Sequence, residues 1–355
     1  MKAMIALSGG VDSSVAALLT MRQGYDCEGV TLKLYEGEAP PEAADKTCCS
    51  LDDAEDARSV CRRLGIPFYV FNFRDSFERE VIDRFIRAYE CGATPNPCID
   101  CNRYIKFGGL IERARELGFN KVVTGHYATV EYSAESGRYL LKKSKDKSKD
   151  QSYVLWPLTQ EQLEMSYFPL GEMTKEQTRA LAEENGFINA RKRDSQDICF
   201  VPDGKFYRFI ESRTGKNYPC GDFVDENGNV LGEHKGMIRY TIGQRKGLGL
   251  ALPHPMYVKE KDTENNRVVL CENSALFSRR LIAKDLNLIS VPELTAPMRV
   301  RARVRYNQPE QPATVTQLDS DTIEVVFDEP QRAICKGQAV VLYDGDYVLG
   351  GAVIV

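Results

Sequence analysis

The stretch ALSGGVDSSVAALL, residues 6–19, decides the fold, because it joins a buried strand to a helix through two glycines. Residues 3–7 form an apolar run of strand length, and a helical pattern begins near Ser13. Glycines permit positive φ and close approach to a ligand, while the first N–H groups of a helix attract anions. Ser8 and Ser13 add hydroxyl donors, and Asp12 adds a carboxylate suited to a magnesium ion. The stretch therefore predicts a phosphate-binding turn.

This turn is not a Walker P-loop, since the pattern G-x-x-x-x-G-K-[ST] and its lysine are absent. A tight βα turn without a ligand is the alternative interpretation. Two glycines flanked by hydroxyl side chains directly after the first strand favour the anion site.

Strand patterns and helix patterns alternate through the first third of the chain. Apolar strand-like runs occur at 27–35, 66–73 and 120–130. Helical patterns occur at 13–24, 51–65, 77–92 and 105–119. Strands separated by helices of this length pair in parallel, so we expect an α/β fold with a doubly wound, mainly parallel sheet. Ligands of such sheets bind beyond the carboxyl ends of the strands.

The composition and the predicted secondary structure of the chain change after Lys142. Residues 142–151 (KKSKDKSKDQ) are charged and poor in apolar side chains, which predicts a mobile surface loop. From about Tyr207, turn pairs such as Asn227-Gly228 predict a small β-rich central domain. Short alternating strands from about Leu281 predict a C-terminal β-barrel. We therefore expect three domains, at 1–206, 207–278 and 279–355.

Composition limits the class of protein. The chain has 355 residues, a net charge of -4 and no apolar run near the roughly 20 residues that span a bilayer. The amino terminus is too short in apolar residues for a secretory signal, so we expect a cytoplasmic protein without membrane contact. Structural disulfides are rare in that compartment, which leaves metal binding, catalysis or burial for the eleven cysteines. Burial suits those that occur singly, and the Cys48-Cys49 pair stays undecided.

A family resemblance rests on six blocks in order along the chain. SGGVDSS is the motif of the PP-loop ATPases, which split ATP into AMP and pyrophosphate. It is followed by TPNPCIDCNRYIKF, VVTGHYA, DQSYVL, KRDSQDICFVPDG and YTIGQRKGLG, which begin at residues 94, 122, 150, 192 and 240. Over nearly the whole chain these blocks resemble the tRNA-specific 2-thiouridylase family. The resemblance implies ATP-dependent adenylation of the C2 oxygen of a wobble uridine, followed by sulfur transfer.

Two cysteines are the candidate sulfur carriers. Cys101 precedes a helix whose dipole favours a thiolate, and Cys199 lies in SQDICF. By resemblance, Cys199 carries a persulfide, and Cys101 resolves it to leave a Cys101–Cys199 disulfide for reduction. Cys98 departs from the family pattern, which has aspartate there for proton transfer. Cys98, Cys101 and Cys199 could instead hold a [4Fe-4S] cluster through three thiolates. A structural zinc is disfavoured without a fourth ligand at knuckle spacing.

Nucleic-acid contact is indicated by RVRARVRY, residues 299–306, whose period of two places four arginines on one face of a strand. A solvated barrel face is the alternative. By resemblance, the tRNA contacts are Asn96, Cys98, His126, Lys149, Asp150, Gln151, Arg305, Tyr306 and Gln338. His126 could be a core histidine, but its position after a strand end beside Gly125 favours the ligand side. The ATP contacts implied in the same way are Ala6, Leu7, Ser8, Gly9, Gly10, Val11, Asp12, Ser13, Leu32 and Gly125.

The resemblance implies ATP and Mg²⁺ as cofactors, with tRNA for Lys, Glu and Gln as substrate. A sulfur-donor protein or a cysteine desulfurase would supply the sulfur. A PP-loop pyrophosphatase acting on a small metabolite would leave Cys199 and the arginine row unexplained. A noncatalytic RNA-binding or metal-storage module would leave SGGVDSS unexplained. These alternatives remain open at the level of sequence.

Overall fold

The structure is a computed structural model that describes residues 1–35, 51–192, 198–201 and 203–355. Cys48 and Cys49 lie outside the described residues. Within these ranges, no helix is long and apolar enough to cross a membrane.

The strands are β1 (Lys2–Ala6), β2 (Asp26–Lys33), β3 (Phe68–Asn72), β4 (Lys121–Val123), β5 (Ala128–Ser133), β6 (Arg138–Lys143), β7 (Ser166–Tyr167), β8 (Gly221–Val224), β9 (Val230–His234), β10 (Tyr257–Asp262), β11 (Arg267–Cys271), β12 (Phe277–Leu288), β13 (Met298–Arg303), β14 (Gln311–Gln317), β15 (Ile323–Arg332), β16 (Ala339–Asp344) and β17 (Tyr347–Ile354). The helices are α1 (Val11–Arg22), α2 (Leu51–Leu64), α3 (Arg74–Phe77), α4 (Asp83–Glu90), α5 (Pro97–Asp100), α6 (Leu110–Glu116), α7 (Gln160–Met165), α8 (Lys175–Glu184) and α9 (Phe206–Thr214). Two π-helical segments, Glu78–Ile82 and Cys101–Gly109, join α3 to α4 and α5 to α6.

The first sheet confirms the predicted doubly wound α/β fold. Its five strands follow the order β3-β2-β1-β4-β7, and every pairing between them is parallel. Alternate side chains of β1 enter two different cores: Ala3 and Ile5 pack with α1 and α2, while Met4 packs with the helices that follow β3. Helices therefore cover both faces of the sheet, as parallel strands require.

The prediction of one strand over 120–130 is wrong. β4 ends at Val123, and β5 begins at Ala128 in a hairpin with β6 that joins the C-terminal sheet. The break falls at Gly125, where the chain passes so close to α1 that an added Cβ would lie 2.6 Å from the Ser13 nitrogen. Close packing against a ligand-binding turn thus interrupts a continuous apolar pattern.

The β-rich second half of the chain forms two further sheets. The smaller one has the order β10-β11-β8-β9 and confirms the predicted β-rich central section. The larger one begins β12-β15-β14-β13-β16-β17, and an additional β12–β17 pairing closes these six strands into the predicted barrel. Apolar side chains of all six strands fill its interior.

Residues 142–151 are not the loose surface loop that their composition predicts. The Asp150 carboxylate is buried and accepts hydrogen bonds from the Ser144 and Ser152 N–H groups and the Ser152 hydroxyl. Lys143 donates to Glu310 at 2.8 Å. A buried carboxylate with several N–H and O–H donors fixes the chain locally.

Candidate active site

The turn after β1 is shaped to bind an anion. Gly9 has φ +72°, and a Cβ there would collide with the backbone of Asp53. Gly10 caps α1 without a side-chain hydrogen bond, and the Ser13 and Ser14 hydroxyls donate back to the Gly10 carbonyl at 3.0 Å. Because a helix leaves its first N–H groups without intrahelical acceptors, the start of α1 can hold phosphate oxygens.

Two side chains from a distant segment support this turn. Asn189 Nδ2 donates to the Gly9 carbonyl and to Ser14 Oγ, each at 2.9 Å. Lys192 Nζ bonds the carboxylate of Asp53, which lies beneath Gly9, at 2.7 Å. The chain that leads toward Cys199 is thereby attached to the anion-binding turn. Sequence reasoning missed both residues, because nothing in the pattern joins Asn189 to Gly9 or Lys192 to Asp53, which are 180 and 139 positions apart.

Asp12 is held by two residues that sequence reasoning also missed. Lys175 Nζ lies 2.7 and 2.8 Å from the two carboxylate oxygens, and the Tyr127 hydroxyl donates to Oδ1 at 2.9 Å. The Asp12 side chain is still 30% exposed, at the open end of α1. A single carboxylate beside an anion-binding helix terminus is a fitting ligand for a magnesium ion that arrives with a nucleotide.

Gly125 and the strand that carries Leu32 border the same turn. An alanine Cβ at position 125 would lie 2.6 Å from the Ser13 nitrogen and 2.7 Å from the Asp12 carbonyl carbon. Leu32 is buried in β2, and its neighbour Thr31 donates to the Leu7 carbonyl at 2.9 Å. The carboxyl ends of β1, β2 and β4 therefore meet around the turn, where ligands of parallel sheets bind.

The cysteine-bearing segment begins with a short capped helix. Asn96 is the N-cap of α5, and its Oδ1 accepts the Cys98 N–H at 3.1 Å. Cys98 is exposed, whereas Cys101 and Cys199 are half-buried. Although nearly a hundred residues separate them, Cys101 and Cys199 pack against the same core cluster.

The three cysteines do not fit the iron–sulfur cluster that is the alternative to the persulfide route. Among the described residues, which include Cys98, Cys101 and Cys199, no group of three or more His, Cys, Asp or Glu side chains could hold a metal ion. Three thiolates at a cube must converge on one point, and here one is exposed on the first turn of α5 while the other two lie against the core.

Asp100 lies between the cysteines and lines a cavity of about 350 Å³. Burial raises the pKa of its carboxyl group to about 6, although the guanidinium groups of Arg84 and Arg103 act in the opposite direction. Arg103 also forms a bidentate ion pair with Asp285 at the start of the C-terminal barrel. Asp100 is thus a carboxyl group that changes charge near neutral pH.

His126 occupies the core rather than the ligand-facing position that the sequence suggests. It is 7% exposed, its Nδ1 is hydrogen-bonded to Thr124 Oγ1 at 2.6 Å, and the Phe107 and Phe168 rings lie 5.7 Å away. Burial, with a smaller effect from Lys106, holds its pKa well below the ordinary value. The imidazole is therefore neutral at physiological pH.

Several predicted tRNA contacts form hydrogen bonds with other segments of the chain. The Tyr306 hydroxyl donates to the Asp150 carbonyl at 3.4 Å, and Gln151 Oε1 accepts the Tyr127 N–H at 3.0 Å. Gln338 Nε2 donates to the Thr94 carbonyl at 2.7 Å, two residues before Asn96. These bonds link Tyr306 to the Asp150 segment and Gln338 to the segment that carries Asn96 and Cys98.

The arginine row alternates as predicted, but its guanidinium groups have protein acceptors. The apolar partners Val300, Ala302 and Val304 are buried in the barrel. The acceptors are Asp328 for Arg299, Glu310 for Arg301, the Gln308 carbonyl for Arg303, and the Ile242 and Ala333 carbonyls for Arg305. Each guanidinium of the row thus has a protein acceptor, while the Arg299 and Arg301 side chains remain 62% and 52% exposed, and phosphate contact by the row stays a prediction.

Comparison with family models covers nearly the whole chain. Residues 1–203 match a tRNA methyl transferase HUP domain, residues 207–272 a tRNA methyl transferase PRC-barrel domain, and residues 278–354 an aminomethyltransferase beta-barrel domain.

Comparison with curated proteins gives relatives of equal length. The chain is 51% identical over 353 residues to the tRNA-specific 2-thiouridylase MnmA of Clostridioides difficile, covering 99% of this chain and 98% of that one. It is 50% identical over 354 residues to the protein of the same name from Acetivibrio thermocellus, covering 99% of both. A solved 4-thiouridine synthetase–RNA complex with bound ATP is 20% identical, over 60% of this chain and 50% of that one. Its TM-score of 0.35 is too low to support an argument.

Proposed function

This chain belongs to the tRNA-specific 2-thiouridylase family, and on that premise we propose that it converts a wobble uridine of tRNA to 2-thiouridine at the expense of ATP. The observation that carries the proposal is the anion-binding turn at the start of α1, to which the segment leading to Cys199 is attached through Asn189. A nucleotide-cleaving turn and a sulfur carrier are the two parts this reaction needs.

The first half of the reaction makes C2 reactive. A carbonyl oxygen is a poor leaving group, so the C2 oxygen attacks the α-phosphorus of ATP, the bond to the β-phosphate breaks, and pyrophosphate leaves. The N–H groups of α1 and the Ser8 and Ser13 hydroxyls suit the charge of the leaving pyrophosphate. Mg²⁺ held by Asp12 would neutralise phosphate charge. Gly125 and Leu32 suit the wall of the adenosine pocket.

The second half transfers sulfur. The terminal sulfur of a Cys199 persulfide attacks C2, and AMP leaves with the former C2 oxygen. The Cys101 thiolate then attacks Cys199 Sγ, which breaks the sulfur–sulfur bond and leaves the transferred sulfur on the nucleoside. The products are 2-thiouridine and a Cys101–Cys199 disulfide, which two electrons from a thiol reductant return to thiols.

The substrate tRNA would lie across the face that joins the catalytic and barrel sections. The proposed contacts are Asn96, Cys98, Lys149, Asp150, Gln151, Arg305, Tyr306 and Gln338. The hydrogen bonds Asn96–Cys98 and Tyr306–Asp150, and that of Gln338 to Thr94 beside Asn96, support this grouping. His126 would contact the base only after leaving its buried position. A sulfur-donor protein or cysteine desulfurase would load Cys199, and tRNAs for Lys, Glu and Gln are the proposed acceptors. A reaction that consumes ATP, tRNA and reduced thiols suits the cytoplasm.

Competing functions explain less of the molecule. The family models carry methyltransferase names, but an ATP-cleaving turn and a distant cysteine pair have no task in methyl transfer. A small-metabolite pyrophosphatase likewise leaves Cys101 and Cys199 without a role. The cluster-dependent thiolation route lacks a fitting set of ligands among the described residues.

The test is the nucleoside content of tRNA from a strain that lacks this chain. We expect 2-thiouridine derivatives to disappear from tRNA digests measured by mass spectrometry, and to return when the wild-type chain is supplied. Unchanged 2-thiouridine content in the deletion strain would refute the proposal.

A further inference from the structure

The anion-binding turn has a lysine that its own sequence motif lacks. Lys175, the first residue of α8, lies 163 positions from Asp12 and contacts both oxygens of its carboxylate. Its side chain is only 10% exposed, so the ammonium group reaches the open end of α1 from within the protein. A buried ammonium retains its charge only beside an anion, and Asp12 provides that anion here.

The backbone around Lys175 is fixed. Thr174 and Gln177 form a complete capping box at the start of α8, and the Lys175 N–H donates to Asp146 Oδ2 at 3.0 Å. Only the flexible four-carbon stem is left to move the ammonium group. The Lys175 Nζ can therefore change partners over a short range without movement of the helix.

Binding of a nucleotide would change the partner of the Asp12 carboxylate. Asp12 lies in the first turn of α1, beside the proposed phosphate site, and without a metal its negative charge would repel the phosphate oxygens. A magnesium ion that arrives with the triphosphate would take the carboxylate as a ligand and release the ammonium. The nearest oxygens of matching charge are then those of the phosphates at the start of α1.

We propose that Lys175 is the phosphate-binding lysine of this turn, and that its Nζ moves from Asp12 to the β- and γ-phosphate oxygens when Mg-ATP binds. The inference rests on the proposed use of ATP. Lys175 then stays on the pyrophosphate as the bond to the α-phosphate breaks, so it stabilises the leaving group. Lys175 would contact the β- and γ-phosphates as a P-loop lysine does, but from α8 and not from the phosphate-binding turn itself.

The test measures dissociation constants of Mg-ATP, Mg-pyrophosphate and AMP by calorimetry. Lys175→Met should weaken Mg-ATP and Mg-pyrophosphate about 10–100-fold, as expected for one charge-assisted contact, and leave AMP within about twofold. Lys175→Arg should recover part of the affinity. Lys259→Met removes an exposed lysine of the central section, paired with Glu226, and should change none of the three constants.

A second comparison separates phosphate binding from a merely structural role. The Asp12→Asn variant has no carboxylate at position 12. Removing Lys175 in this variant therefore leaves no unpaired negative charge, so any loss of binding comes from the lysine itself. We expect Lys175→Met to weaken pyrophosphate binding about 10–100-fold in this background as well. Equal pyrophosphate affinity of Asp12→Asn and the double variant, or an equal loss of AMP and ATP binding in the single variant, would overturn the proposal. Failure of the wild-type chain to bind Mg-ATP would instead refute the proposed function.

Discussion

Gly125→Ala is the substitution whose effect the geometry defines most closely. The added Cβ would lie 2.6 Å from the Ser13 nitrogen, which is 0.8 Å short of an ordinary contact at 3.4 Å. Both neighbours, Ser13 N and the Asp12 carbonyl carbon, are backbone atoms of α1, so no side-chain rotation relieves the overlap. The turn between β4 and β5 must move away from α1, the helix that we propose binds the phosphates.

Overpacking of this kind lowers the free energy of unfolding by about 1–3 kcal/mol. A shift of nearly 1 Å in a binding site lowers activity on the order of 100-fold. We therefore expect Gly125→Ala to remain folded, and to lose about two orders of magnitude in kcat/KM for ATP, measured as tRNA-dependent AMP formation. Urea unfolding at constant pH measures the change in the free energy of unfolding.

A matched control is Gly118→Ala, near the carboxyl end of α6. Gly118 has φ +77°, so alanine is strained by about 1–2 kcal/mol, but nothing lies within 4 Å of the new Cβ. This control should lose similar stability and keep wild-type AMP formation. Wild-type kcat/KM for ATP in Gly125→Ala would refute the reasoning, because the turn could then not border the nucleotide.

Three further predictions concern the cysteines, the buried carboxyl and the arginine row. Cys199→Ser should abolish 2-thiouridine formation and still release pyrophosphate when tRNA is present; normal thiolation would remove Cys199 from the mechanism. Since burial raises the folded-state pKa of Asp100 from 3.8 to about 6, the free energy of unfolding should fall as pH rises from about 4 to about 6. In urea unfolding, the decrease in the free energy of unfolding over this pH range should be smaller by roughly 2–3 kcal/mol in Asp100→Asn than in the wild type. An identical pH dependence of the two proteins would contradict the raised pKa of Asp100. Arg299→Ala should leave tRNA affinity and its salt dependence nearly unchanged, because the guanidinium is bound to Asp328; a salt slope smaller by about one would show that Arg299 binds a phosphate.

Local sequence patterns predicted the helices and strands, whereas the residues that surround the anion-binding turn depend on long-range packing. The parallel sheet and the anion-binding turn follow from alternating apolar runs and from residues 6–19, because these signals lie within one strand or one helix. The break at Gly125 does not follow, since a close approach between β4 and α1 leaves no trace in either segment alone.

The largest gaps concern partners distant in sequence. Lys175, Asn189 and Lys192 surround the turn from a segment that shows only ordinary helix and loop signals. Charge patterns likewise do not show which groups accept hydrogen bonds from the lysines and arginines. Composition predicts a mobile loop for the lysine-rich segment 142–151 and phosphate contact for the arginines of residues 299–306, and carboxylates and carbonyls from other elements accept hydrogen bonds from both. Periodicity reports the direction of a side chain and not its partner.

The most direct test of the account is the stoichiometry of the complete reaction. Purified enzyme would receive ATP, magnesium, a sulfide source and unmodified tRNA, and AMP, pyrophosphate and 2-thiouridine would be counted in the same samples. We predict one AMP and one pyrophosphate for each 2-thiouridine formed, with Cys199 required for the thiolation alone. Absence of AMP, or 2-thiouridine formed without ATP cleavage, would contradict the claim that one chain joins adenylation to sulfur transfer.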